Sequence, residues 1–134
     1  MATALVQNGA RVIIASRKEK ALKEVADQLN GQANGGSCEY IVADLGSKAG
    51  CDKLAEEVKK KTDKVHLLVN NSGMTWGARY DDVDEKRGWD NVYALNVKSI
   101  FYLTVALTPL LEKDADNMGQ LEDLHAKRME TLAA

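Results

Sequence analysis

The polar residues that stand out in this 134-residue sequence do so by where they fall relative to apolar runs. Ser16, Arg17 and Lys18 follow directly on Arg11-Val12-Ile13-Ile14-Ala15. A carboxylate at such a place hydrogen-bonds a ribose 2′-hydroxyl, whereas a cation accommodates a 2′-phosphate. Arg17 fits the second role or that of a solvated residue at a helix start, where a cation opposes the helix dipole. Asp44 closes the run Glu39-Tyr40-Ile41-Val42-Ala43 and reads as a loop or cap carboxylate or as a ligand-facing one. Asn70-Asn71-Ser72-Gly73 follows Val65-His66-Leu67-Leu68-Val69. It offers amides beside a glycine that lets a ligand approach the backbone, and a tight turn favours the same residues. Asn96 is an amide inside a long apolar stretch. It must find partners, either nearby backbone or a water held in a proton relay.

Other reactive types form no pattern. Cys38, Cys51 and His66 lack zinc-ligand spacing, so no metal site is expected. His125 stands alone. The sequence contains no Gly-x-Ser-x-Gly elbow and no phosphate-binding P-loop. Trp76, Trp89 and the tyrosines do not make a base-stacking platform.

The elements that must position these groups are legible from periodicity. The spacing predicts strands over 11–16, 39–43 and 65–69, the last being the clearest. Between them lie amphipathic helices. Ser16 and Glu19 form a capping-box pattern ahead of Ala21, Leu22, Val25, Ala26 and Leu29, and Asn30-Gly31 is a stop signal. Ser47 opens a second helix with Leu54, Ala55 and Val58 inward and Lys59-Lys60-Lys61 at its negative end. Asp82 and Glu85 are expected to cap a long helix from about 86 to 111. It is apolar on much of its circumference, which predicts burial against a sheet or partner helix. Strand–helix alternation of this kind implies an α/β domain with a parallel sheet, whose ligands bind beyond the carboxyl ends of the strands. Ser16-Arg17, Asp44 and Asn70–Gly73 all fall there.

Composition narrows the class. With 18 Lys+Arg, 20 Asp+Glu and 45% hydrophobic residues, the chain can build one core and offers no electrostatic case for nucleic acid. No apolar run approaches the roughly 20 residues of a membrane span, so no membrane association is expected. The first residues lack a signal-peptide pattern, and two Cys suit a reducing, cytoplasmic compartment. The segment 114–134 carries five acids and two bases, a net −3 against +1 for the remainder. Two regions follow: a body over 1–113 able to build one domain, and a divergent acidic tail over 114–134, helical or disordered.

Taken together, Arg11–Arg17, Ala43-Asp44-Leu45, Leu68–Gly73 and Ala94-Leu95-Asn96-Val97 resemble, in order and spacing, the short-chain dehydrogenase/reductase family. The stretch 4–111 is most similar to its NADPH-dependent 3-oxoacyl-carrier-protein reductases. The resemblance implies a Rossmann-like fold, an NADP(H) cofactor and a small carbonyl or alcohol substrate. Arg17 then resembles the basic residue that selects NADPH, next to Ser16. Asp44, with Leu45, resembles the residue beside the adenine. Asn70, Asn71, Ser72 and Gly73 resemble the loop along the adenosine ribose. Asn96 resembles the asparagine of the catalytic tetrad, which organises a proton-relay water.

The departures matter as much. Residues 1–5 resemble the interior of the helix that follows the family's glycine-rich loop, and the loop and the strand before it have no counterpart. No Tyr is followed by Lys four residues on, and similarity stops near Lys113. The resemblance thus implies a truncated, incomplete α/β domain with little or no activity. The alternative is a non-catalytic interaction protein that self-associates, or pairs with a full-length relative, through helix 86–111. In the strand order 3-2-1-4-5-6 the absent strand lies between segments 11–16 and 65–69. The expected gap is about 10 Å, twice the spacing of strand neighbours. Either the flanking strands pair directly, a partner chain supplies the missing strand or covers the edges, or the chain is a poorly stable fragment.

Overall fold

The computed structural model describes residues 1–32 and 35–114; the tail expected to be helical or disordered lies almost wholly outside the described residues. The elements follow in order as α1 (Ala2–Gln7), β1 (Arg11–Ser16), α2 (Glu19–Gly31), β2 (Ser37–Val42) and α3 (Lys48–Lys61). After an irregular stretch comes one long helix, α4 (Glu85–Leu111).

Strands β1 and β2 pair in parallel, Arg11 opposite Ser37 through Ser16 opposite Val42. Period-two alternation then sends successive side chains to opposite faces. Val12, Ile14, Cys38 and Tyr40 meet Val6 of α1 and Ala26 and Leu29 of α2. Ile13, Ala15 and Ile41 meet Cys51, Leu54, Ala55 and Val58 of α3 and Leu103, Leu107 and Leu110 of α4. The sheet is therefore covered on both faces, as a parallel sheet requires. Among the described residues the architecture is a Rossmann-like parallel sheet with flanking helices, incomplete at two strands.

The segment 65–69 departs from expectation: it forms no sheet ladder. It runs beside α4 in the opposite sense. The Val65 N–H donates to the Leu110 carbonyl (3.1 Å), Asn70 Nδ2 donates to Thr104 Oγ1 (3.3 Å), and Met74 meets Asn96. Ser99 of α4 lies beside Cys51 and Leu45, just past the carboxyl end of β2. Segment 65–70 thus runs in the same direction as β1 and β2. A cavity of about 860 Å³ separates it from β1, lined by Val12–Ala15 on one side and Val65–Asn71 on the other. The apolar residues that signal a strand are present, but a strand is held by its neighbour's ladder, and here the neighbour is across the gap. The flanking segments do not close by direct pairing. Leu67 consequently stays 62% exposed, and the β-branched run of β1 is only half-buried.

Local signals resolve in detail. Ser47 caps α3 as expected, its Oγ accepting from the Gly50 N–H (3.1 Å). Gly50 is obligatory there, because a Cβ would stand 1.7 Å from the Asp44 carbonyl oxygen. Ser16 does not cap α2: its Oγ accepts from the Lys18 N–H (3.2 Å) in a local turn, and the helix starts at Glu19 without a side-chain cap. Asp84, not Asp82, caps α4 by accepting from the Arg87 N–H (2.6 Å). Helix α4 carries wide π turns over Glu85–Asp90 and Ala94–Lys98.

Helix α4 is not buried all round. Leu103, Leu107 and Leu110 are buried, whereas Tyr93, Val97, Phe101 and Val105 are exposed along the other side. By length and composition it is also long enough and apolar enough to cross a membrane, which the sequence reading did not anticipate. Its leucine face is instead part of the core against α3.

Candidate functional site

The carboxyl ends of β1 and β2 are held together by the sheet register. The Ala43 N–H donates to the Ser16 carbonyl (2.9 Å), so Ser16-Arg17 and Asp44 emerge side by side. Arg17 is exposed and makes no ion pair among the described residues. Asp44 is also exposed, and its Oδ1 accepts from the Gly46 N–H (3.0 Å), fixing the turn into α3. Leu45 turns its side chain into the core, 8% exposed.

Across the cavity stand Asn70, Asn71 and Ser72, which line it together with Ala15, Leu45 and Ser99. Asn70 is fixed by Thr104, and the Asn71 N–H donates to the Val69 carbonyl (3.0 Å). Gly73 then leads into the stretch that Asn96 clamps. Asn96 Nδ2 donates to the Met74 carbonyl (2.8 Å), and its Oδ1 accepts from the Met74 N–H (2.9 Å). Of the alternatives for this amide, the structure provides the backbone one: a two-point clamp between α4 and the loop after segment 65–70. The structure therefore brings Ser16, Arg17 and Asp44 to one rim, and Asn70, Asn71 and Ser72 to the facing rim. Gly73 and Asn96 stand just beyond, and Leu45 lies underneath.

Sequence reasoning did not single out Thr104, Met74 or Ser99. Thr104 lies eight positions after Asn96 in α4, about 80° away at the α-helical period, so no sequence signal pairs them; the π turn over Ala94–Lys98 shifts that phase. Met74 offers none, because its contribution is backbone. Ser99 is 4% exposed and donates its hydroxyl to the Leu95 carbonyl (2.6 Å). Below the site, the Cys51 thiol contacts the Leu45 and Ser99 carbonyls (3.7 and 3.8 Å). Burial pushes the pKa values of both Cys51 and Cys38 up, so both stay protonated and are poor nucleophiles. Among the described residues no group of three or more His, Cys, Asp or Glu side chains is placed to hold a metal ion.

An exposed cation at one strand end, a carboxylate at the next and an amide-rich turn on the facing rim can bind a polyhydroxylated, phosphorylated ligand. Comparison with known proteins identifies the family. The family model described as short chain dehydrogenase matches residues 1–120. The rhamnolipids biosynthesis 3-oxoacyl-[acyl-carrier-protein] reductase of Pseudomonas aeruginosa is 37% identical over 115 residues, covering 86% of this chain and 43% of that protein. The solved structure of P. aeruginosa RhlG in an NADP active-site complex superposes with a TM-score of 0.77 at 38% identity, covering 84% of this chain and 42% of that one. A metagenomic short-chain oxidoreductase in complex with NADP gives a TM-score of 0.75 at 28% identity, over 82% of this chain and 49% of that one. The chain thus spans less than half the length of the relatives it matches. With the family model matching most of its length, the chain belongs to the short-chain dehydrogenase family.

Proposed function

We propose that the described residues form the adenosine side of an NADP(H) site in a cytoplasmic ketoreductase acting on a small carbonyl or hydroxyl compound of the 3-oxoacyl type. The observation that carries this reading is the unpaired Arg17 at the carboxyl end of β1, beside Asp44. A guanidinium free of protein carboxylates fits a 2′-phosphate, which it binds through charge-assisted hydrogen bonds. Ser16 supports the Arg17 turn, Asp44 faces the base, and Leu45 supplies backbone and floor. Asn70, Asn71, Ser72 and Gly73 border the ribose. Asn96 acts as a positioning residue by holding Met74. The bound nicotinamide would supply the hydride.

The 134-residue chain alone is expected to turn over little or nothing. Its sequence offers no Tyr-x-x-x-Lys to act as general acid, and loss of such a group costs about 10²–10⁴-fold. The test is NADPH and NADH binding by the purified chain, followed by NADPH oxidation with a 3-oxoacyl thioester. NADPH should bind more tightly than NADH, and Arg17→Ala should remove most of that preference, about tenfold or more for a lost charged hydrogen bond. Equal affinity for both cofactors refutes the role of Arg17. Turnover near the ~10 s⁻¹ of ordinary enzymes refutes the expected inactivity.

A second reading rests on α4. Tyr93 (56% exposed), Val97 (47%), Phe101 (64%) and Val105 (55%) recur every four residues on its outward side. Such a contiguous apolar stripe marks an association surface. It fits self-association, or pairing with a full-length relative, without catalysis. Sedimentation of the chain alone and with a full-length reductase tests it, and monomers in both experiments exclude it.

A further inference from the structure

We propose that Asn30-Gly31, at the end of α2, is a modification site: deamidation of Asn30 to aspartate or isoaspartate unlatches the outer edge of β2 from the helix. The inference does not depend on the cofactor reading.

Asn30 holds the sheet edge by both ends of its amide. Its Nδ2 donates to the Cys38 carbonyl (2.9 Å), and its Oδ1 accepts from the Cys38 N–H (2.7 Å). In a parallel pair, alternate residues direct both backbone groups to the same neighbour. The Ser37 and Ala43 N–H groups donate to the Ala10 and Ser16 carbonyls, so the odd-numbered residues of β2 serve β1. Cys38, Tyr40 and Val42 therefore turn their N–H and C=O groups outward. No hydrogen bond to the main chains of Tyr40 and Val42 is found among the described residues. There, the Asn30 amide alone closes this edge, which is one way proteins blunt an exposed strand.

The same residue carries the chemistry that ends the latch. A glycine after asparagine leaves the next backbone nitrogen unshielded by a Cβ. The Gly31 nitrogen, its proton lost to solvent hydroxide, attacks Asn30 Cγ and closes a cyclic succinimide. The Cγ–Nδ2 bond breaks, and Nδ2 leaves as ammonia. Water then opens the ring at either carbonyl, giving aspartate or isoaspartate. Water is consumed, ammonia is released, and nothing is oxidised or reduced. Asn30 is exposed, so water and hydroxide reach it. The backbone does not require the glycine: the φ of Gly31 is not positive, and an added Cβ would meet nothing within 4 Å. The folded state restrains the step. A helical ψ at Asn30 turns the Gly31 nitrogen away from Cγ, and the bonds to Cys38 hold the amide against β2. Reaction therefore passes through opening of the last turn of α2. Neither product restores the latch. Aspartate, ionised, has no hydrogen to donate to the Cys38 carbonyl, and isoaspartate also lengthens the main chain by a methylene. Asn8-Gly9 is a contrast within the chain, because Asn8 Nδ2 donates to the Ala4 carbonyl (2.8 Å) at the end of its own helix and bridges no two elements. In the third such pair, Asn34-Gly35, Asn34 lies outside the described residues.

The test ages the full chain at mildly alkaline pH, folded and in urea, and assigns conversion to Asn8, Asn30 and Asn34 separately by peptide fragmentation. Aspartate and isoaspartate should accumulate at Asn30 about tenfold more slowly in the folded chain than in urea, because the last turn of α2 must open first. In the converted fraction the Cys38 amide should exchange roughly fivefold faster, the equivalent of one net hydrogen bond. The Ile41 amide, which bonds to β1, should keep its rate. Asn30→Asp should reproduce the faster Cys38 exchange without ageing. Gly31→Ala should leave the Cys38 amide protected and slow conversion at Asn30 about tenfold, since a Cβ shields the attacking nitrogen. A folded chain still intact at Asn30 after the period that completes conversion at the expected rate overturns the proposal. Equal rates with and without urea overturn it as well, because no latch then guards the residue. So do conversion that leaves Cys38 exchange unchanged, and a Gly31→Ala chain that converts as fast as its parent.

Discussion

Replacing Asn96 by Ala removes both hydrogen bonds to Met74 and adds no bulk. Each bond is short, 2.8 and 2.9 Å, and the residues concerned are half-buried. A net hydrogen bond contributes about 1 kcal/mol, so the pair is worth roughly 2 kcal/mol where water cannot replace it. Partial solvent access at Met74 brings the expected loss to about 1–2 kcal/mol. For a domain of this size each 1 kcal/mol moves the melting temperature by about 4 °C, giving a fall of about 4–8 °C. Thermal melts measure this, and amide exchange at Met74 localises it. Asn96→Asp provides a sharper check. Ionised, its carboxylate still accepts from the Met74 N–H but faces the Met74 carbonyl with no proton to donate. The folded pKa of that Asp is therefore raised, so its deficit relative to Asn should shrink as pH falls through that value. An Ala variant that melts with the parent, with unchanged exchange at Met74, would refute the clamp and return Asn96 to a solvent-facing role.

Further outcomes follow from other contacts. Gly50→Ala places a methyl 1.7 Å from the Asp44 carbonyl oxygen, so the first turn of α3 must move. A loss of about 2 kcal/mol or more in denaturant unfolding is expected. Glu39 has a lowered pKa because it accepts from Lys61 and Arg11. Its stabilisation is fully present above the ordinary carboxylate pKa of about 4.3 and is lost as pH falls through the lower folded value. Glu39→Gln should flatten acid unfolding below about pH 4, by no more than about 1 kcal/mol because solvent screens the pairs. Cys51, fully buried with its pKa pushed up, should react with a thiol reagent no faster than the chain opens. Rapid labelling in the native state would contradict the packing around it.

The sequence made β1 and α3 fully legible because their signals are local. Arg11–Ser16 is a β-branched run between turn residues, and Ser47 sits one position before its helix. β2 begins at Ser37, two residues ahead of the expected start at Glu39, because the ladder with β1 continues through Ser37 and Cys38. The strand-end placement of Arg17 and Asp44 was readable for the same local reason. Segment 65–69 was not, since its state depends on a neighbour far away in sequence. Nor was the Asn96 clamp, a bond to backbone across a loop. Burial of α4 was over-read because periodicity reports how much of a helix is apolar, not whether a second surface exists to cover it.

The widened turn over Ala94–Lys98 gives α4 two angular phases on one axis. C-terminal to it, Leu103, Leu107 and Leu110 address the core; within it, Asn96 addresses Met74. A π turn accommodates a residue beyond the α-helical period, and excising one would swing everything before it by about 100° relative to the leucines. Gripping the loop and packing the core are thus geared together by a single surplus residue. A side-chain substitution such as Asn96→Ala can remove one contact but leaves the angular offset in place, whereas a one-codon deletion inside the turn disengages the two faces together.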